Sequence, residues 1–366
     1  MPKRINEKNS PDKSLQEYTQ TKPEQLTLFE MLAPEQKKYS NTVELYDFIP
    51  KYFWGKAAQL RVNGKFLHEL EREFVCRGKK YKVKIYPSSI KQKNGKEKYF
   101  YPSKREELVE DALRKLVCEG KGKFLDDSAG VFFSLYELMD ELRSNGHTYS
   151  ITQVKDALMI CAQSSLIVTN EEGTELMVST IFPTLSLQTK EDWKGKGEKT
   201  QSFIRFNPLV TKSIVEMQFR QFNYQNSMKY KSVIARQLHK RMSHHYIQAS
   251  IAHPYGINLT TIIRDFGLTA YGKISHNLRD VARGMDELMD SNVVLKYEAN
   301  KTFDSKNKNK IADVNFVIIP HPIFCSEVMN SNIKAKQIEN NSSSKIKEID
   351  GSGSFAENLT KTTKKT

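Results

Sequence analysis

An α+β fold of two tandem domains flanked by polar arms is what this sequence predicts. Three observations lead there. Segments 41–190 and 201–330 each read as three helices followed by a β-hairpin. Residues 1–40 and 331–366 are polar and poor in core-forming side chains, as flexible arms are. The 366-residue chain, long enough for two domains, carries a net charge of +14 and a pI near 9.3. That charge selects a polyanionic partner, with nucleic acid ahead of a membrane surface.

Other classes recede on composition. No apolar run is long enough to span a bilayer. Met1-Pro2-Lys3-Arg4 leads into polar residues with no apolar signal core, so a cytoplasmic protein is expected. The cysteines (Cys76, Cys118, Cys161, Cys325) are far apart and lack Cys-x-x-Cys spacing. Reduced thiols, no structural zinc and no cofactor are expected.

In the first segment, 66–101 is strand-like, with clear alternation from Lys79 to Tyr86. A helix starts at Ser103, where Glu106 completes a capping box, and Leu108, Ala112, Leu116 and Val117 form its apolar stripe. A second covers about 133–144 and ends near Gly146. A third starts at Ser150, with Gln153 as the partner in its capping box, and buries Ile151, Val154, Leu158 and Cys161. Leu166-Ile167-Val168 and Leu176-Met177-Val178 then flank Asn170–Gly173 as a hairpin.

A basic linker, 191–200, leads to the second segment. This opens on the alternating Phe203-Ile204-Arg205-Phe206. Helices are expected at about 208–218, 226–247, 258–266 (closed by Gly267) and 274–290, followed by strands at 293–299 and 311–319. This order, occurring twice, is that of tandem winged-helix domains: helix-turn-helix plus a β-hairpin wing.

The helix at 274–290 has a face of Ile274, Leu278, Val281, Met285 and Leu288, and an opposite face of His276, Arg279, Asp280 and Arg283 after Lys273. A recognition helix needs that split, so that one face packs while the other enters the major groove. Arg279 or Arg283 can grip guanine bidentately, and Asn277, turned outward, can read adenine. Lys301, Lys306, Lys308 and Lys310 crowd the wing tip, where phosphates would relieve their repulsion. Arg236 and Lys240 of the long helix are expected to touch backbone phosphates. The first segment's third helix shows Thr152, Lys155, Asp156 and Gln163, which are barely basic. The first domain is therefore expected to bind DNA more weakly or to make protein contacts, with Arg77–Lys98 as a secondary phosphate surface.

The order Phe203–Pro208, Phe219–Tyr224, Tyr230–Lys240, helix-turn-helix and wing resembles the Rep initiators of theta-replicating, iteron-bearing plasmids. The resemblance spans about 41–320. It implies two winged-helix domains binding repeated sites (iterons) at an origin, and recruitment of a host DnaA-type initiator and replicative helicase. It also implies a monomer–dimer equilibrium, with the first domain as the dimer contact. Gln25-Leu26-Thr27-Leu28-Phe29 resembles the peptide by which bacterial replication proteins dock on the sliding clamp, and initiators of the TrfA type carry such a peptide. Thr27 stands where Ser or Asp is usual. Gln25 would be the polar anchor, while Leu28 and Phe29 would fill the pocket. A second reading packs Leu26, Phe29, Met31 and Leu32 on the chain's own first domain.

No enzyme is expected. His244 and His245 are adjacent and point to different helix faces, so they cannot form the His-hydrophobic-His metal pair of rolling-circle nickases. Gly195–Thr200 lacks the spacing of a phosphate-binding loop. A transcriptional repressor on the same fold is the alternative to an initiator.

Overall fold

The computed structural model describes residues 37–55, 68–91, 95, 97–187, 201–271, 274–307 and 310–349. The fold is α+β, and the contacts of the described residues divide it into two units: one built on Pro50–Ile214, and one on Lys38–Ile49 with the residues from Val215 onward. The peptide Gln25–Phe29, Lys273, Lys308 and the 191–200 linker lie outside the described residues.

The first described strand, β1 (Tyr39–Val43), already departs from the expected boundaries. It belongs to the second unit, where it pairs antiparallel with a strand at Phe219–Asn223. Long-range pairing of this kind leaves no local period in the sequence.

The first unit begins with β2 (Leu70–Cys76), β3 (Lys79–Ile85), β4 (Ser88–Lys91) and β5 (Glu97–Phe100). Helix α1 (Lys104–Leu116) starts at the foreseen capping box: the Ser103 backbone N–H donates to Glu106 Oε2 at 2.8 Å. Strands β6 (Gly122–Leu125) and β7 (Ser128–Phe133) follow, then α2 (Leu135–Ser144), which has its own capping box at Ser134 and Glu137. Gly146 sits past its end at φ +85°, a conformation that favours glycine. Helix α3 (Ile151–Gln163) has the predicted Ser150–Gln153 box. It buries Val154, Leu158 and Cys161, but Ile151, expected in the core, is exposed in the first turn. The hairpin is β8 (Ser165–Asn170) and β9 (Glu175–Thr180).

Two four-stranded sheets complete this unit. One has the order β2-β3-β8-β9, with Val83 opposite Val168 and Ile85 opposite Leu166. The other contains β10 (Thr184–Ser186) and β11 (Ser202–Arg205), in the order β10-β11-β7-β6. Strand β11 was expected to open the second domain. It instead pairs with β7, placing Ile204 opposite Val131. Helix α4 (Pro208–Val215) follows from it.

The second unit continues with β12 (Phe219–Asn223), the partner of β1. The single long helix expected at 226–247 is two: α5 (Tyr224–Lys229) and α6 (Val233–His245). Ser232 breaks them by capping α6, its side chain accepting from the Ala235 N–H. Then come β13 (Tyr255–Asn258), α7 (Leu259–Asp265), α8 (Ile274–Asp290), β14 (Val294–Phe303) and β15 (Ile311–Pro320), with sheet order β13-β15-β14.

Beyond the sheet, α9 (Pro322–Ile349) occupies sequence expected to form part of a flexible tail. It is helical because it has something to pack on. Phe324 and Val328 enter the core, Glu327 accepts from Asn223 Nδ2 at 2.8 Å, and Ser331 Oγ accepts from the Gln221 N–H at 3.2 Å. Among the described residues, no helix is long and apolar enough to cross a membrane.

Candidate nucleic-acid interface

The candidate interface is built on α7, α8 and the β14–β15 hairpin. Their shared core contains Ile262 from α7, Phe266 just past its end, and Val281, Met285 and Leu288 from α8. Val314, Phe316 and Ile318 come from β15. Burying such side chains contributes roughly 1.5–3 kcal/mol each, so the polar faces are held on a rigid base.

Short polar locks fix the geometry. Gly267, at φ +63°, lets the chain leave α7, and the Leu268 N–H donates to Ile263 O at 2.9 Å. Asn277 lies under the turn. Its Oδ1 accepts from the Tyr271 N–H at 3.2 Å and its Nδ2 donates to Thr269 O at 3.0 Å. At the other end Asp313 of β15 accepts from both the backbone N–H and the hydroxyl of Thr260, at 3.2 and 2.6 Å. This ties the hairpin to the start of α7. Nothing in the local sequence pattern announced the Thr260–Asp313 link, because it joins residues 53 positions apart.

With α8 held in this way, His276, Arg279 and Arg283 are exposed on the side away from the core, as predicted. Arg283 pairs with Asp280 at 2.5 Å, and the Arg283 side chain remains 63% exposed. An exposed pair is worth little, about 0–1 kcal/mol, so the guanidinium can exchange it for a base or phosphate. The C-terminal half of the helix is acidic, with Asp286, Glu287 and Asp290. A polyanion is thus favoured at the N-terminal half, the end that carries base contacts in helix-turn-helix docking.

On the hairpin Lys301, Lys306 and Lys310 are exposed. Asp304 shapes the tip, accepting from the N–H groups of Lys306 (2.7 Å) and Asn307 (3.3 Å). These two bonds hold its carboxyl below the usual carboxylate range, keeping it ionised and engaged with the backbone.

Three expected contacts are corrected. Asn277 is buried in the turn lock and does not face outward to read adenine. Arg236 is fully buried and donates from Nη1 to Tyr230 O at 3.3 Å. Lys240 is also buried, its ammonium 5.8 Å from the Phe222 ring centre. The helical period alone placed these two on a solvent face, because it does not reveal that Arg236 turns back to the Tyr230 carbonyl and that Lys240 lies against Phe222 of β12. Arg241, beside them, donates to Asp265 Oδ2 at 3.1 Å and to the Tyr255 hydroxyl at 3.1 Å, tying α6 to α7 and β13.

Among the described residues, no group of three or more His, Cys, Asp or Glu side chains is placed to hold a metal ion. His239 is buried between the rings of Tyr230, Phe222 and Phe324, and burial lowers its pKa to about 3. It is a neutral core residue.

No protein-family model and no curated protein matches the chain. Solved structures of similar shape include domains 2 and 3 of RctB, with TM-score 0.43 and 9% identity over 75% of this chain and 96% of that one. A second RctB structure, of residues 155–483, gives TM-score 0.41 at 11% identity over 72% of this chain and 94% of that one. The Pi initiator protein in complex with iteron DNA gives TM-score 0.40 at 12% identity, covering 60% of this chain and 91% of that one.

Proposed function

We propose that the chain is a plasmid replication initiator that binds repeated double-stranded DNA sites, with its second unit as the main reader. The order α6, β13, α7, α8 and β14–β15 is read as a winged helix, with α8 as the recognition helix and the hairpin as the wing. The observation that carries the proposal is the bare, basic face of α8, Arg279 and Arg283 with His276, beside an exposed lysine-bearing hairpin. Arginines supply base readout in the major groove, while wing lysines neutralise phosphates and position the domain. The initiator role adds the sequence resemblance to this DNA-reading geometry. It brings a cytoplasmic setting, a monomer–dimer equilibrium through the first unit, and recruitment of a host DnaA-type initiator and replicative helicase. Catalysis has no part in the proposal: the chain works by binding.

Footprinting on the DNA flanking its gene tests the reading. Protected direct repeats are expected, and uniform, sequence-blind protection would contradict it. A repressor would protect an operator and silence a promoter. An initiator would also maintain a plasmid that carries only the gene and its flank.

The docking peptide belongs to the same proposal. Leu28→Ala with Phe29→Ala should abolish binding to purified sliding clamp and spare binding to the repeats. Loss of folding in this variant would instead favour the self-packed reading.

A further inference from the structure

The exposed hydrophobic residues of the second unit include one at an unusual place. Phe303 is 51% exposed at the end of β14, among the exposed Lys301, Lys306 and Lys310. Isolated exposed apolar residues are ordinary. An aromatic ring among lysines on a hairpin that meets DNA is less so, because the neighbouring charges bring it to a polyanion.

The strand geometry aims it. Tyr297, Ala299 and Lys301 stand opposite Ile318, Phe316 and Val314, so they share the sheet face that packs on the helices. Over the core, that face holds Tyr297 against Phe316. Past the edge of the core the same face continues with Lys301 and Phe303, on the side where α7 and α8 lie. The ladder shifts between Thr302 and Phe303: Thr302 pairs with Asp313 and Phe303 with Ile311, leaving Ala312 as the extra residue. The extra residue lies on β15, so the alternation of β14 runs unbroken through Phe303 while the bulge adds local twist to the hairpin. The turn after Phe303 is also built, with the Asp304 N–H donating to Lys310 O at 2.8 Å and the Lys310 N–H to Asn307 O at 2.8 Å. The ring is therefore presented on a braced tip.

We propose that Phe303 is a wedge that enters the minor groove next to the α8 site, partly unstacks a base step and bends the duplex. This deepens the DNA-reading proposal and rests on it. Apolar wedges on minor-groove binders kink DNA in this way, and flexible pyrimidine–purine steps yield most easily. The inference thus adds a specificity determinant that acts through deformability, at a base step that α8 does not touch.

The test measures bending and affinity together. The full chain would be titrated onto a duplex repeat with a dye at each end, as wild type, Phe303→Ala and Phe303→Leu. Wild type should bend the duplex by an angle within the range of about 20–90° that such wedges produce. Phe303→Ala should keep the footprint, lose most of the bend and bind roughly tenfold or less more weakly, since the unstacking cost disappears with the contact. Phe303→Leu, still apolar, should retain much of the bend. An unchanged bend in Phe303→Ala would overturn the wedge and leave the α8 reading intact. So would a loss confined to single-stranded DNA, which would mark the ring as a stacking platform for unpaired bases. Failure of the wild type to bind the repeat would overturn both proposals.

Discussion

The two units follow the same order, three helices and a hairpin, yet they face solvent differently. In the second, α8 shows Arg279 and Arg283 and its hairpin shows Lys301, Lys306 and Lys310. In the first, α3 exposes Thr152 and Gln163, with Lys155 and Asp156 half-buried and cancelling in charge. Its hairpin carries Glu171, Glu172 and Glu175, and exposes Leu176 and Val178. The sheets differ too. The β8–β9 hairpin extends β2–β3 through β8, whereas β15 pairs with β13 from between the helices. An element order describes a scaffold, while function follows from the side chains the scaffold leaves bare. By that measure the proposed DNA reading belongs to the second unit, and the first is suited to a contact that tolerates acid and apolar surface.

The sharpest way to break this contrast is to remove the basic face. Arg279→Ala and Arg283→Ala should each cost about 1–3 kcal/mol of specific binding. Thr152→Ala with Gln163→Ala, on the exposed face of α3, should leave affinity unchanged. Competition binding on the repeat measures both. Equal losses in the two units would erase the distinction.

A second pair of substitutions separates surface from core. Gly284 of α8 faces α6 so closely that an added Cβ would sit 3.0 Å from Ile234 Cβ. Gly284→Ala should therefore destabilise the second unit by about 1–3 kcal/mol, through overpacking. Arg236→Ala should cost a similar amount, about 1–3 kcal/mol, by leaving the Tyr230 carbonyl buried without this donor. Chemical denaturation would read both. Unchanged stability with weakened DNA binding in Arg236→Ala would return that residue to the interface.

Smaller effects are expected at the wing. Lys306→Ala with Lys310→Ala should weaken all duplexes about equally and flatten the salt dependence by roughly two charges. A change in sequence preference would show that the lysines do more than meet phosphate.

Acid should probe the second unit through His239. Its folded pKa of about 3 lies below the ordinary 6.5, so between those values the unfolded chain binds the extra proton. The stability from burying the neutral ring is present above pH 6.5 and is lost as the pH falls toward 3. His239→Gln should reduce that slope in denaturation experiments at successive pH values.

Much of this was legible in the sequence, for local reasons. The capping boxes at Ser103 and Ser150 and the stripe of α8 are written within a few residues of each other. So is Gly267 after α7. What stayed hidden depends on partners outside each element. β1 meets β12 across about 180 residues of chain, and no alternation in Tyr39–Val43 names that partner. Arg236 and Lys240 looked like phosphate contacts, but Arg236 turns back to the Tyr230 carbonyl and Lys240 lies against Phe222. Asn277 could read adenine only if turned outward; it lies on the buried face of α8 and turns into the loop before it, where the Thr269 carbonyl and the Tyr271 amide need partners. The polar composition of α9 suggested a tail, while the residues that fix it, Phe324, Val328 and Glu327, contact elements distant in sequence.

The central claim is that base readout resides in the first turns of α8 while the wing supplies position. The most direct test is the specificity ratio, repeat over scrambled duplex, measured by anisotropy at one salt concentration. Wild type, Arg279→Ala and the Lys306→Ala/Lys310→Ala pair would be compared. The ratio should fall about tenfold or more in Arg279→Ala and hold steady in the lysine pair, even as both bind more weakly. An unchanged ratio in Arg279→Ala, or a collapsed one in the lysine pair, would contradict the claim.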